Sequence, residues 1–253
     1  MPPIFLHMAL ARDIGAQVKL PQAVAQEEGA YLLGATTPDI RVLTRGDRRD
    51  THYFDLGVVE HQDTVAAFFA AQCGLADASA LDEQTIAWVC GYLTHLVLDE
   101  RYIESVYRRY FGQLSQLGGA EEADLMDRML QYELDRRRRA DRAEVAGIVD
   151  ALDRCSLHLD VGFLDRETLR RWQQVAIDLS AHPPDWERFR FQGGRHVNRA
   201  WADDAEAYQE FLQRVPELLQ KTIDHVTTAE VDGYLDSARQ AAGAAIERYL
   251  GGS

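Results

Sequence analysis

Residues 85–111 read TIAWVCGYLTHLVLDERYIESVYRRYF, with apolar side chains on nearly every face of a helix rather than on one stripe. A helix apolar all round sits in the centre of a protein. Asp82 is placed to cap it, Glu83 sits in its first turn, and Gly112 is placed to stop it, which predicts a buried helix ending at Phe111. Two ionisable side chains, His95 and Asp99, stand four residues apart on this helix and so share a face. Burying them without partners is costly. A divalent cation satisfies both at once, since imidazole and carboxylate suit zinc and similar ions. Alone, the pair equally describes a salt-bridged core histidine. Gly91, one turn before His95, leaves room for another backbone or for substrate.

The rest of the chain extends the helical pattern. Ile4 to Val18 places Phe5, Met8, Ala9 and Ile14 near one face. A second helix is predicted after Pro21, running to Leu33 and stopped by Gly34. The run GATTPDIRVLTRGDRRDTHYFDLG, from Gly34 to Gly57, is rich in Gly, Pro, Thr and Asp and predicts a long loop. Such loops are often functional. Further helices are predicted over 59–75, 121–140, 143–155, 165–180, 203–225 and 228–249, with an irregular connector from Ala181 to Asp204. Arg136 to Arg139 read as a solvated helix face. No strand-like alternation persists and no repeat is visible. The expectation is an all-α chain, one compact domain over 1–253, with metal-site candidates in 1–112 and a helical remainder in 113–253.

The formal charge of −14 opposes a general nucleic-acid binder, because an acidic surface repels phosphate backbones. It leaves a phosphoester substrate open, since bound metal inverts the local potential. Cys73, Cys90 and Cys155 are odd in number and widely spaced in apolar helical stretches, which predicts inert buried thiols rather than a disulfide framework. The N-terminus lacks a basic region and a cleavage site, and no apolar run approaches a membrane span. The expected protein is soluble and cytoplasmic, without integral membrane association.

Three more residues join His95 and Asp99 as candidates. His7 lies among apolar neighbours on the first helix, Asp39 follows Pro38, and His52 stands in Thr51-His52-Tyr53-Phe54. Singly, each has an ordinary reading: a core histidine, a turn residue, a helix-end residue. In order, His7, Leu33-Gly34-Ala35-Thr36-Thr37-Pro38-Asp39, His52 and Gly91-x3-His95-x3-Asp99 resemble the zinc-dependent phospholipase C family, of the phospholipase C and P1 nuclease superfamily, over about the first 110 residues.

That resemblance implies an all-helical fold and a zinc cluster acting on a small or lipid-like phosphoester. It implies that His52, His95 and Asp99 hold one metal, that Asp39 bridges to a second and activates the attacking water, and that His7 binds the second. Two zinc ions are expected, with manganese or iron as alternatives for a carboxylate-rich site. The chain departs from the family after Asp99. No HxxxE helix follows, no histidine occurs until His158, and Met1-Pro2-Pro3 stands where the family has a tryptophan. His158, His182 and His196 are candidates to rebuild a lost metal position, with Glu100, Glu104 and Asp160 as carboxylate substitutes. His61 and His225 read as helix-surface histidines. Arg45, Arg48 and Arg49 are candidate substrate contacts, because a guanidinium fork suits phosphate, or else a solvated loop paired with Asp47 and Asp50. The competing reading is a catalytically silent helical protein with a structural metal. Adjacent His-Asp, GxSxG and phosphate-loop glycine patterns are all absent.

Overall fold

The computed structural model describes residues 3–112, 115, 117, 120–192 and 204–251. Among them the chain is all-α: no residue is in a strand. In chain order the helices are α1 (Ile4–Val18), α2 (Gln22–Gln26), α3 (Glu28–Gly34), α4 (Arg41–Thr44), α5 (Arg49–His52), α6 (Thr64–Ala71), α7 (Glu83–Tyr102), α8 (Ala120–Arg139), α9 (Arg142–Asp153), α10 (Arg166–Ala181), α11 (Phe189–Gln192), α12 (Ala205–Val226) and α13 (Thr228–Gly251). None is long and apolar enough to cross a membrane.

Helix α7 is the axis of the fold. Asp82 accepts from the Thr85 amide and caps it, as expected. Its side chains from Ala87 to Leu98 are buried apart from small slivers, and it packs against α3 on one side and α13 on the other. The α3 crossing is close because glycine faces it from both helices. A Cβ on Gly91 would collide with the Tyr31 carbonyl, and one on Gly34 with the Trp88 carbonyl. The room left by Gly91 is thus taken by another backbone. Past Tyr102 the winding loosens to a π-helix over Ile103–Phe111, which ends at Gly112. The predicted stop holds, but the last two turns are wider than an α-helix.

Several expectations need correction. The second helix breaks at Glu27, where ψ swings to 37°, and Gly34 ends α3 as a packing residue. The long loop is largely helical in short pieces: a 3₁₀ turn over Thr37–Ile40, with Pro38 at its start, then α4 and α5. Four-residue helices carry no readable period. The helix expected over 59–75 begins only at Thr64, because the Asp63 carboxylate accepts from Ala66 and fixes the start there. Cys73 is exposed, Cys90 buried and Cys155 intermediate. Burial pushes the Cys90 thiol up to about 12, so it is inert.

Arg136 to Arg139 is not wholly a solvated face. Arg136 and Arg137 pair with Glu133, and Arg138 with Asp13 and Glu144. Arg139 is buried beside Asp135 and donates to the carbonyls of Leu179, Ser180 and His182, closing the C-terminal end of α10. Most buried apolar residues form one cluster around α7; a smaller one, Met129, Tyr132, Phe189, Tyr208, Phe211 and Val215, joins α8, α11 and α12.

Candidate metal centre

Four elements bring His7, Asp39, His52, His95 and Asp99 together. His7 comes from α1, Asp39 from the 3₁₀ turn, His52 from the last position of α5, and His95 and Asp99 from successive turns of α7. The Nε2 atoms of His52 and His95 lie 3.4 Å apart, and Asp99 Oδ2 is 3.5 Å from the first and 3.7 Å from the second. Asp39 Oδ1 is 3.4 Å from His52 Nε2, and Asp99 Oδ1 is 3.4 Å from His7 Nε2. The His7 and His95 rings stack with centroids 3.8 Å apart.

The surrounding hydrogen bonds aim these atoms inward. His95 Nδ1 lies 2.8 Å from the Ala35 carbonyl. A carbonyl only accepts, so Nδ1 carries the proton and Nε2 presents a lone pair. Thr51 donates its hydroxyl proton to the Pro38 carbonyl at 2.8 Å, and its oxygen lies 3.1 Å from His52 Nδ1. The same logic gives His52 a protonated Nδ1 and a bare Nε2. Neither ring nitrogen of His7 has a hydrogen-bond partner, nor does Asp99 Oδ1, although these atoms are buried.

Buried polar atoms without partners are rare, and the donors here fit a divalent cation. Zinc–nitrogen bonds of about 2.0–2.1 Å in a tetrahedron place neighbouring donors about 3.3 Å apart. The 3.4–3.7 Å triangle of His52, His95 and Asp99 has nearly those edges. Two overlapping sets can hold an ion, His7 with His95 and Asp99, and Asp39 with His52 and His95.

Charge settles the protonation of the cluster. Burial and the neighbouring His95 push His7 down to about 4. Burial also lowers His52, and nearby Arg48 adds to the effect. Burial disfavours the charged form of His95, but Asp99 and Asp39 outweigh it and its pKa rises. For Asp99 and Asp39 burial alone would raise the pKa; the histidines around each reverse that and hold both ionised. Both carboxylates of the cluster are therefore ionised at neutral pH.

Residues 6–99 match the family described as zinc dependent phospholipase C. The resemblance read from the sequence is borne out over that stretch, which contains all five candidate ligands and ends on Asp99. No curated protein and no solved structure matches the chain. The family's name carries zinc, and the His and Asp groups of the chain are of the type that binds it.

The other candidates are distributed differently. Among the three arginines, Arg48 alone reaches the cluster, donating from Nη2 to Asp99 Oδ2 at 2.9 Å. Arg49 is exposed and pairs with Asp47 and Asp55, and Arg45 points to solvent. His158 is exposed and joins no metal-binding group among the described residues, nor does the intermediate His182 or the exposed Asp160, whose carboxylate closes a turn to Gly162. His196 lies outside the described residues. Glu100 and Glu104 stand apart from the main cluster with His61: His61 Nδ1 is 3.0 Å from Glu104, and Glu100 accepts from the amide and hydroxyl of Thr64. His225 is half-buried against the Tyr110 carbonyl.

Proposed function

We propose that the protein is a metal-dependent phosphoester hydrolase acting on a small or lipid-like phosphoester. One observation carries this reading: three inward-facing donors, His52 Nε2, His95 Nε2 and Asp99 Oδ2, spaced as one face of a zinc tetrahedron. In this reading they would hold one ion, and Asp39 and His7 would be available to hold a second. Asp99 would reach both, because its Oδ1 faces His7. When bound, such ions lower the pKa of a coordinated water and neutralise phosphoryl oxygens.

The chain's own residues would do the rest. Asp39 is the most open of the five, with 16% of its side chain exposed against 4% or less for the others. It is ionised and stands where a substrate must enter, so it would orient the attacking water and take its proton. Ala35 and Thr51 would hold the two imidazoles with their lone pairs inward. Arg48 would steady Asp99 and offer its positive charge to the phosphate.

The test is a metal count on purified protein beside turnover of p-nitrophenyl phosphate and p-nitrophenylphosphorylcholine. Bound zinc, turnover abolished by chelator, and loss of both in His95→Ala are expected. Metal content unchanged in His95→Ala would sink the assignment. A second reading, a silent protein with a structural metal, is favoured by Arg48, which already neutralises Asp99. It predicts one ion per chain and no turnover across both substrates.

A further inference from the structure

Outside the main cluster, His61, Glu100 and Glu104 form a second group of metal-ligand side chains. One donor atom from each lies within 4.8 Å of the other two. None of the five cluster residues belongs to this group, and Glu100 and Glu104 lie beyond the stretch that matches the family. Glu100 stands on the last turn of α7, and Glu104 on the first turn of the π-helix that continues it. His61 comes from the loop that leads into α6.

Two carboxylates four residues apart on a helix repel each other, and here little offsets that. Glu100 is buried, at 6% exposure. Its Oε2 accepts from both the amide and the hydroxyl of Thr64, at 3.1 and 2.7 Å. Among the described residues its Oε1 has no hydrogen bond, and the carboxylate has no ion pair. Glu104 pairs with His61, Oε1 to Nδ1 at 3.0 Å. Arg108, one turn past Glu104, donates instead to the carbonyls of Val58 and Val59. A buried carboxylate without a counter-charge is costly, and a cation held between Glu100 and Glu104 supplies one. Bonds of about 2.1 Å in an octahedron set adjacent donors about 3 Å apart. His61 and Glu104 already have that spacing. Their side chains, 64 and 21% exposed, have room to swing toward Glu100, which Thr64 anchors.

We propose that His61, Glu100 and Glu104 bind an exchangeable divalent cation, separate from the main cluster, that clamps the loop before α6 to the end of α7. The donor set selects the ion. Magnesium and calcium take oxygen ligands, which the imidazole disfavours. One imidazole and two carboxylates, with water in the remaining positions, suit manganese. The exposure of His61 lets this ion exchange with solution, so it leaves on desalting. The site does not rest on the phosphoester reading above.

The full chain is desalted, which leaves in place whatever the main cluster holds tightly, and is titrated with Mn²⁺; uptake is read from loss of the free-ion EPR signal. Wild type is expected to bind one more Mn²⁺ per chain than His61→Ala, and Glu104→Gln to bind that ion at least about tenfold more weakly. Mn²⁺ should raise the Tm of wild type and leave that of His61→Ala unchanged. Both replaced side chains reach solvent, and equal metal-free Tm values check that the variants fold. No uptake by wild type, or equal uptake by wild type and His61→Ala, overturns the proposal. So does uptake that His61→Ala keeps and Asp39→Asn loses, which assigns the ion to the main cluster. Loss of p-nitrophenylphosphorylcholine turnover and of tightly held zinc in His61→Ala likewise ends the separation of the two sites. An ion that His61→Ala loses, in a protein that hydrolyses no phosphoester, keeps this site and sinks the hydrolase.

Discussion

Replacing Gly91 with Ala tests the link between the helix crossing and the metal centre. A Cβ at this position would overlap the Tyr31 carbonyl oxygen and lie 2.9 Å from both the Tyr31 carbonyl carbon and the Ala35 amide nitrogen. All three are backbone atoms of α3 and its end, so no rotamer change relieves the clash. The helices must part, by roughly an ångström or more to restore ordinary carbon contacts of about 3.5 Å. Overpacking a well-filled interior costs about 1–3 kcal/mol, and a backbone obstacle belongs at the upper end. The gain of about 1 kcal/mol from replacing glycine within a helix leaves a net loss near 2 kcal/mol. For a chain of this size that is a fall in Tm of roughly 4–8 °C. The same movement draws the Ala35 carbonyl away from His95 Nδ1, now 2.8 Å distant, and loss of such an outer contact typically costs about 10–100-fold in metal affinity. Thermal unfolding of metal-free protein and zinc titration against a chromophoric chelator read the two effects separately. Unchanged Tm together with unchanged zinc affinity would refute the reasoning.

Asp39→Asn keeps shape and one oxygen but loses charge; phosphoester turnover should fall by about 10²–10⁴-fold while the ion at His52, His95 and Asp99 stays, and full turnover would remove Asp39 from the chemistry. Arg139→Met strips the donors from the Leu179, Ser180 and His182 carbonyls and leaves Asp135 unpaired, so calorimetry should record a loss of about 3–5 kcal/mol; a loss below about 1 kcal/mol would mean the pair is solvated after all. Burial pushes Asp135 up to about 6, above the ordinary aspartate value of 3.8, so the folded state holds this proton after the unfolded state has released it. Its contribution to stability is present below pH 3.8, falls as pH rises to about 6, and amounts to roughly 3 kcal/mol at 1.36 kcal/mol per pKa unit. Asp135→Asn should gain that much on wild type between pH 4 and pH 7 in denaturant titrations, and parallel pH curves would contradict the shift.

The sequence disclosed what a regular helix makes rigid. His95 and Asp99 were legible as a pair because a spacing of four fixes their common face, and Asp82 was legible as a cap because its carboxylate has one nearby amide to serve. The turns from Thr37 to His52 were not legible as helices, since four-residue pieces show no period and are held by tertiary bonds such as Thr51 to Pro38. Nor was the choice of Arg48 over Arg45 and Arg49: Arg45 sits at a positive φ of 62° that turns the chain, and the register after that turn decides which guanidinium faces Asp99. Arg139 was misread because a run of arginines says nothing of the helix end that Arg139 covers. The departure from the family beyond Asp99 was legible as absent ligands, but not as what the later helices supply instead.

What they supply is support, delivered next to the candidate ligands. Asp135 of α8 accepts from the Leu6 amide at 3.0 Å, one residue before His7. Trp172 of α10 donates from its indole to Thr36 at 3.0 Å, at the turn that leads into Asp39. Tyr234 of α13 donates to the Leu98 carbonyl at 3.3 Å, one residue before Asp99. Three helices from outside the matched region thus each buttress a different element that carries a cluster residue. The ionised Asp39 and Asp99 repel each other, Arg48 and the histidines offset part of that repulsion, and braced backbones help hold the donor atoms together. The first 99 residues contain the five cluster residues, and α8, α10 and α13 hold the segments that carry them in place.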